Sequence, residues 1–309
     1  MTHDSVFNMI AIVSHDSGGA EVLSSWLCQE KPQYQLAIQG PAVAIFERKL
    51  GNIEILPLEE VIDSCDWVLC GSSWQSDLEK KAILLAKKCN KKVITFLDHW
   101  VNYPERFKLK NTYAYPDEIW VGDSRAYKIA NEMFPKIPIK QKSNPYFKDI
   151  ILDLEKFESK TPSTSYQTAL YVCEPISEHA LEEYGDRLYY GYTEEDALKF
   201  FLENCDILNI NLQEIRIRPH PSENRSKYEW AKNFSALVVE TESDKTLIQQ
   251  IQEADLVAGC ESMAMIVGLI AKKQVVSSIP FGGKQCGLPH DEIVHLQDII
   301  EKRRNHHDI

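Results

Sequence analysis

A histidine and an aspartate stand side by side after the first strand-like run of the sequence. His15 and Asp16 follow the apolar stretch 7–14, and Gly18 and Gly19 come almost directly after them. Glycines at such a point let the backbone approach a ligand and open a helix whose N-terminus favours anions. The alternative is a tight turn in which Asp16 caps the helix. An adjacent His and Asp exceed what a turn requires, so we expect this cluster to be functional.

A second candidate for proton transfer follows the most hydrophobic run of the first half, residues 92–97. Asp98 comes directly after this run and is followed by His99 and Trp100. A carboxylate at the end of a strand can take a proton from an alcohol, and an aromatic neighbour can stack on a sugar. Asp98 is therefore the first candidate for a general base. Ser72 follows another strand-like run, and its cluster either binds a sugar or caps a helix.

The second half carries a histidine between two prolines. Arg218 ends a strand-like run, and His220 lies between Pro219 and Pro221, with Ser222 directly after. The prolines restrict the loop and hold the imidazole in place. Arg and His both donate to anionic oxygens, so the pattern favours a phosphate site. The alternative is a solvent-facing strand that ends in a turn histidine.

Two further clusters follow strand-like runs of the second half. Glu261 and Ser262 stand where a strand turns into a helix, an arrangement that can seat a phosphate or a carboxylate. Capping of the helix by Ser262 is the structural alternative. Glu174, Pro175 and Ser177 follow the run ALYVC, so we expect them in the first loop of this half, near a ligand.

These clusters imply a particular fold, because strand-like and helix-like stretches alternate along both halves. Such alternation predicts βαβ units and a parallel sheet in each half. The fold class is therefore α/β, with two Rossmann-like doubly wound domains that face a cleft, over residues 1–160 and 161–309. The polar stretch 160–165 is the predicted linker. Ligands of open α/β sheets bind at the carboxyl ends of the strands, where the clusters stand.

Composition excludes several classes of protein. The chain has 309 residues and a formal net charge of −12, so a general nucleic-acid-binding function is not expected. No apolar run approaches the ~18–20 residues of a membrane helix, and the first residues lack the pattern of a signal peptide. We therefore expect a cytoplasmic protein. None of the eight cysteines forms a Cys-x-x-Cys pair, so we expect reduced thiols and neither a redox pair nor a zinc site.

The order of the motifs in the second half resembles that of a known enzyme group. His220-Pro221, followed downstream by Ser262 at a helix start, is similar to the nucleotide half of bacterial sialyltransferases, polysialyltransferases and Kdo transferases of the GT-B fold. CDP-glycerol-type polymerases have a similar layout. The resemblance implies that His220 and Ser262 stabilise a CMP leaving group, with residues 174–177 near the cytosine and ribose. The first half lacks the Asp-Asp-Gly or Glu-Asp-Gly motif of the group, which leaves Asp98 and then Asp16 as bases.

The function implied by this resemblance is a metal-independent, inverting transfer of an ulosonic acid from a CMP-linked donor. The first domain would bind a surface-glycan or lipid-linked acceptor, and the second the donor. No cofactor is expected beyond the donor substrate, and no metal, since no DxD motif or His cluster is present. Contact with a membrane would be peripheral at most, at its inner face.

Other classes of function use the same scaffold. A UDP-sugar epimerase of the UDP-GlcNAc 2-epimerase type, or a nucleotide-sugar hydrolase, would place several acids around the sugar; Asp98, Glu105, Asp117 and Glu118 are available. Such an enzyme would turn over a UDP-sugar without an acceptor. A non-catalytic nucleotide-sugar-binding protein would bind its ligand without releasing CMP. The sequence leaves the oligomeric state open.

Overall fold

The computed structural model describes residues 9–73, 76–157, 167–208, 211–241 and 243–307. The chain forms two compact units, Met1–Asp149 and Ile150–Ile309. The predicted linker at 160–165 and the predicted domain boundary lie outside the described residues, and the roles assigned to the two domains stay predictions.

The first unit is built on a six-stranded parallel sheet with the order β2-β1-β3-β4-β7-β8. Its strands are β1 (Ile10–Ser14), β2 (Tyr34–Ile38), β3 (Trp67–Cys70), β4 (Lys92–Leu97), β5 (Lys108–Leu109), β6 (Thr112–Tyr113), β7 (Glu118–Val121) and β8 (Ile139–Gln141). Its helices are α1 (Ser17–Glu30), α2 (Ala42–Leu50), α3 (Leu58–Ser64), α4 (Leu78–Lys88), α5 (Ser124–Met133) and α6 (Pro145–Lys156), the last of which runs into the second unit. β5 and β6 form a separate antiparallel hairpin.

The second unit is built on another six-stranded parallel sheet, with the order β11-β10-β9-β12-β13-β14. Its strands are β9 (Gln167–Val172), β10 (Leu212–Arg218), β11 (Val238–Glu240), β12 (Leu256–Gly259), β13 (Gln274–Ser277) and β14 (Ile293–His295). Its helices are α7 (Ile176–Tyr184), α8 (Glu194–Asn204), α9 (Ala231–Phe234), α10 (Leu247–Glu253), α11 (Met263–Ile270) and α12 (Leu296–His307). When the strands of this unit are numbered from 1 to 6 in chain order, the sheet has the 3-2-1-4-5-6 order of a Rossmann fold. The predicted α/β class with two Rossmann-like units is confirmed.

The strands are recognisable in the sequence because parallel strands are covered on both faces and read as apolar runs. β1 and β12 are buried along their whole length. Residues 53–56 run beside β2 but make only a single bridge within the described residues, between Ile55 and Leu36. The chain leaves the sheet there because Pro57 follows and α3 begins at the next residue.

The carboxyl ends of neighbouring strands bring most of the sequence clusters to one edge of each sheet. In the first unit the chain crosses itself there: a Cβ on Gly19 would stand 3.2 Å from the Cα of Gly71. A side chain at either position would force its neighbours to shift by a few tenths of an ångström, which favours glycine at both. Among the helices of the described residues, none is both long and apolar enough to span a membrane.

Candidate functional site

Asp98, at the end of β4, is anchored by an ion pair in the first unit. Its Oδ1 accepts hydrogen bonds from Ser72 Oγ at 2.8 Å and from Arg106 Nη1 at 3.1 Å. The side chains of Asp98 and Arg106 are 8% and 7% exposed. Arg106 also donates to the Ser72 carbonyl at 2.7 Å and to the Val101 carbonyl at 3.2 Å. Asp98 thus ties the ends of β3 and β4 to the turn that follows β4.

The second carboxylate oxygen of Asp98, Oδ2, explains why residue 18 is a glycine. A Cβ on Gly18 would stand 2.0 Å from Asp98 Oδ2, so the carboxylate occupies that space at the start of α1. A carboxylate is stabilised at a helix N-terminus. The space above Gly18 therefore holds a protein carboxylate, whereas the sequence suggested room for a ligand. Asp98 as the general base stays a prediction.

His15 and Asp16 form a pair at the end of β1. His15 Nδ1 lies 2.7 Å from Asp16 Oδ1, and the two side chains are 24% and 18% exposed. A carboxylate that accepts the Nδ1 proton leaves the lone pair of a neutral imidazole on Nε2. Gly40, with φ of +58°, makes room for this atom, since a Cβ there would stand 2.5 Å from His15 Nε2. The pair is arranged to accept a proton at Nε2.

Glu79 lies beneath this pair, and sequence reasoning missed it. It stands in the first turn of α4 and is only 2% exposed. Its Oε1 accepts the His15 backbone N–H at 2.7 Å, while Oε2 has no hydrogen-bond partner within the described residues. Burial raises the pKa of Glu79 to about 8. In the sequence Glu79 stands at the polar start of an amphipathic helix, and nothing there marks it as buried.

Two neighbours of Asp98 in the sequence have structural contacts of their own. Trp100 is buried, donates from Nε1 to Asp123 Oδ2 at 2.9 Å and stacks on Phe147. Only 5% of Trp100 is exposed, so little of this ring is accessible to a sugar, and the suggested stacking stays a prediction. His99 contacts Trp100 edge-on, with ring centroids 5.6 Å apart.

His220 follows β10 in the second unit, and its protonation state can be read from its contacts. Its Nδ1 accepts the Ser222 backbone N–H at 3.3 Å and lies 2.7 Å from Ser222 Oγ. Burial lowers the pKa of His220, which favours the neutral ring. With Nδ1 as acceptor, the ring proton is assigned to Nε2. The imidazole is thus a neutral donor at Nε2.

His220 lines a cavity of about 230 Å³ at the end of β10. Its other lining residues are Arg218, Pro219, Pro221, Glu223, Arg225 and Ser243. The Arg218 guanidinium is held by the Lys245 carbonyl and by Gln250 Oε1. Arg225 pairs with Asp244 at 3.3 Å, near the surface. The cavity combines a neutral imidazole donor with two guanidinium groups, which suits an anionic oxygen.

A buried charge network fixes the backbone of the His220 loop. Glu223 Oε2 accepts the His220 N–H at 3.0 Å, and Glu223 Oε1 accepts from Lys227 Nζ at 2.8 Å. Lys227 also binds Glu194, whose carboxylate accepts from the N–H and hydroxyl of Ser177 at 2.8 and 2.9 Å. Burial would lower the pKa of Lys227, but the two carboxylates raise it. Ser177 therefore binds Glu194, a residue that the sequence did not single out.

At the start of α11, where the sequence predicts an anion-binding site, the Glu174 carboxyl group of the protein itself is bound. Glu174 Oε1 accepts the Glu261 backbone N–H at 2.7 Å. Ser262 Oγ accepts from Ala264 N at 3.1 Å and so caps α11, and Glu261 Oε2 accepts from Gly287 N at 2.6 Å. Although part of Glu174 reaches the surface, its carboxyl group is enclosed, and this burial raises its pKa to about 7.

The structure thus joins the sequence candidates in small groups within each unit. The first unit joins Asp98, Ser72 and Gly18, and separately His15 and Asp16. The second joins His220, Pro221 and Arg218 around one cavity, holds the His220 ring through Ser222, and links Glu174 to Glu261. In the part of the chain that is described, no three His, Cys, Asp or Glu residues are placed to hold a metal ion.

The fold is similar to that of solved nucleotide-sugar enzymes, although no protein-family model and no curated protein matches the chain. UDP-GlcNAc 2-epimerase from Methanocaldococcus jannaschii is 13% identical, with 96% of this chain and 92% of that chain covered and a TM-score of 0.64. UDP-GlcNAc 2-epimerase from Neisseria meningitidis, bound to UDP-GlcNAc, is 11% identical, with 97% and 91% covered and a TM-score of 0.61. The likeness spans both units and supports the GT-B-like fold class; at these identities it shows the fold alone.

Proposed function

We propose that the protein is a glycosyltransferase that takes a sugar from a nucleotide-linked donor, with a CMP-linked ulosonic acid as the donor and a surface glycan or lipid-linked sugar as the acceptor. The observation that carries the proposal is the His220 cavity, which is lined by a neutral imidazole with its proton assigned to Nε2 and by Arg218 and Arg225. Charge develops on the phosphate as the sugar leaves, and donors that are already oriented stabilise it.

The role of His220 in this reaction is to donate a hydrogen bond to a phosphate oxygen of the leaving nucleotide. Ser222 holds the ring through Nδ1, and Glu223 holds the backbone of the loop. The donor is therefore oriented before the substrate arrives, so little reorganisation is needed during the reaction. Ser262 and Glu174 support the loop structure at α11, and the proposal assigns them no contact with the phosphate.

Two groups in the first unit are proposed as alternatives for the general base. The His15–Asp16 pair has a part-exposed imidazole, and in this proposal its Nε2 takes the proton of an acceptor hydroxyl. Asp98 is less exposed, and its Oδ1 already accepts from Ser72 and Arg106. These contacts favour His15, with Asp16 as the residue that orients it, and Asp98 remains the alternative.

A second candidate function is epimerisation or hydrolysis of a UDP-sugar. It is favoured by the fold likeness to two UDP-GlcNAc 2-epimerases, which extends over nearly the whole chain. Such an enzyme needs no acceptor, and a glycosyltransferase does. Incubation with UDP-GlcNAc alone, followed by NMR analysis of the sugar, separates the two: a new hexosamine or free UDP would support this candidate.

The first experiment is a thermal-shift titration with CMP, CDP, UDP, ADP and GDP, because a ligand that binds only the folded state raises Tm. We expect stabilisation by CMP in the wild type and its loss in His220→Ala. His295→Ala, which changes a part-exposed histidine at the end of β14, is the matched control and should respond as the wild type does. Stabilisation by UDP alone would favour the second candidate. No response to any nucleotide would contradict both, and binding without turnover would indicate a non-catalytic binding protein.

A further inference from the structure

Glu79 is a buried carboxyl group to which the proposed reaction assigns no task. One of its oxygens accepts the backbone N–H of His15 at 2.7 Å, and the other has no hydrogen-bond partner within the described residues. A buried carboxylate with an unpartnered oxygen is costly, so such a group is expected to be uncharged or to serve a function. Stabilisation of α4 alone does not explain why a carboxyl group is buried at this position.

The groups around Glu79 do not neutralise a negative charge. Asp16 faces it from the start of α1 and repels a second anion, and the Cys70 thiol faces it from the end of β3. The backbone N–H groups of Glu79 and His15 and the charge of Lys80, next to it on α4, favour the anion, but burial outweighs them and the pKa of Glu79 is raised. Burial raises the pKa of the Cys70 thiol well above its usual value, so this group stays uncharged as well. The surroundings thus favour the carboxylic acid form of Glu79.

The absence of a side chain at Gly71 leaves space in which the Glu79 carboxyl group can reach the backbone of His15. A Cβ on Gly71 would stand 3.8 Å from Glu79 Oε1 and 3.1 Å from Ser14 Oγ, so the missing side chain leaves room for both polar groups. Ser14 is fully buried, and its hydroxyl also has no partner within the described residues. Glu79 thereby reaches the backbone of the residue whose side chain pairs with Asp16.

We propose that Glu79 is a positioning residue for the His15–Asp16 pair, which it holds in place as an uncharged acid and disturbs when it loses its proton. As an acid, it fixes the His15 backbone through Oε1 and adds no charge. As a carboxylate, it becomes a second anion beside Asp16 and repels it, which disturbs the contact between Asp16 and the His15 ring. The role in catalysis rests on the proposed function; the coupling to His15 does not.

The coupling is tested by NMR titration of the His15 ring nitrogens between pH 5 and 9. In the wild type we expect the histidine titration and a second, smaller inflection near pH 8, the pKa of Glu79. Glu79→Gln keeps an oxygen that can accept the His15 N–H and cannot ionise, so the second inflection should vanish while the midpoint of His15 stays unchanged. A lowered midpoint in Glu79→Gln would mean that Glu79 is already an anion at neutral pH, and would overturn the proposal.

Two further variants separate coupling from general stability. Glu118→Gln also changes a buried carboxyl of the first unit, at β7, where Lys92, Lys140 and Trp120 contact it. It should leave both inflections in place. Glu79→Leu removes the acceptor, so hydrogen exchange of the His15 amide should become at least about tenfold faster than in Glu79→Gln. Equal exchange in the two variants would overturn the positioning role.

If the protein turns over a nucleotide sugar, the pH profile of kcat gives a separate readout. The wild type should lose activity above pH 8, and Glu79→Gln should keep it. Absence of turnover would contradict the proposed function and leave the NMR result as the test of Glu79. Loss of activity at the same pH in both proteins would contradict the role of Glu79 in catalysis.

Discussion

The carboxylate of Glu174 binds the backbone N–H of Glu261, with Oε1 2.7 Å from the nitrogen. These residues belong to the loops after β9 and β12, neighbouring strands of the second sheet. The loop at the start of α11 thus already binds a carboxyl group of the protein itself. This contact changes the expected role of Ser262, which the sequence offered as a phosphate ligand.

Replacement of Ser262 should affect stability more than nucleotide binding. Ser262 Oγ caps α11 by accepting from Ala264 N. Ser262→Ala should lower the free energy of unfolding by about 1 kcal/mol, the usual cost of a lost N-cap. Ser262→Asn keeps a capping oxygen and should be near the wild type in urea unfolding. A Kd for CMP that rises tenfold in both variants would return Ser262 to the phosphate site.

Loss of Arg106 should be far more costly than loss of a surface arginine. Arg106→Met leaves Asp98 buried without its cation, which typically costs about 3–5 kcal/mol. The matched control is Arg48→Met in the same unit, since Arg48 is exposed and its partner Glu21 keeps a second cation, Lys49. Exposed pairs contribute about 0–1 kcal/mol. Similar urea midpoints for the two variants would show that Asp98 does not need this partner in the folded state.

Stability should fall as the pH rises from about 6.5 to 8. Burial raises the pKa of Glu79 to about 8 and that of Glu174 to about 7, above the value of 4.5 for a free glutamate. The folded state therefore binds more protons than the unfolded state in this window, and each group loses its contribution as it ionises, at up to about 1.4 kcal/mol per pH unit. His220 acts in the opposite direction, but only below its ordinary pKa of 6.5.

The measurement for this pH dependence is urea unfolding at half-unit steps of pH. Glu79→Gln should remove most of the decline between pH 7 and 8, because Glu174 is already largely ionised there. Glu118→Gln should keep the decline, since hydrogen bonds from Trp120, Lys92 and Lys140 outweigh the effect of burial and lower the pKa of Glu118 to about 2. A flat profile in the wild type would contradict the raised pKa values of both carboxyl groups.

The positions of the candidate residues could be predicted from the sequence because they depend on local signals. Strand-like runs end at Ser14, Leu97, Arg218 and Gly259, and the polar residues that follow are brought to the ends of parallel strands. What these residues contact could not be predicted. Arg106 reaches Ser72 over 34 positions, and Glu174 reaches Glu261 over 87. Such contacts depend on which strands are neighbours in the sheet.

Buried charge is the feature that sequence patterns hide most completely. Glu79 and Glu194 stand in the first turns of helices, where acids are common for reasons of capping and the helix dipole. Both acids are buried by contacts with residues distant in the sequence. The loop that carries His15 covers Glu79, and Ser177 at the start of α7 contacts Glu194. The helix pattern alone therefore predicts exposed acids at both positions.

The orientation of His220 gives the sharpest test of the phosphate site. Ser222 fixes the ring through Nδ1, and so assigns the proton to Nε2. Ser222→Ala keeps the backbone N–H but removes the hydroxyl, so the ring should turn more freely and the Kd for CMP should rise about three- to tenfold, as for the loss of one hydrogen bond. His220→Gln should weaken binding further, and adding Ser222→Ala to it should have little additional effect, because the serine acts through the ring. Isothermal titration calorimetry measures all four proteins under one condition. Additive effects of the two substitutions would show that Ser222 contacts the nucleotide on its own.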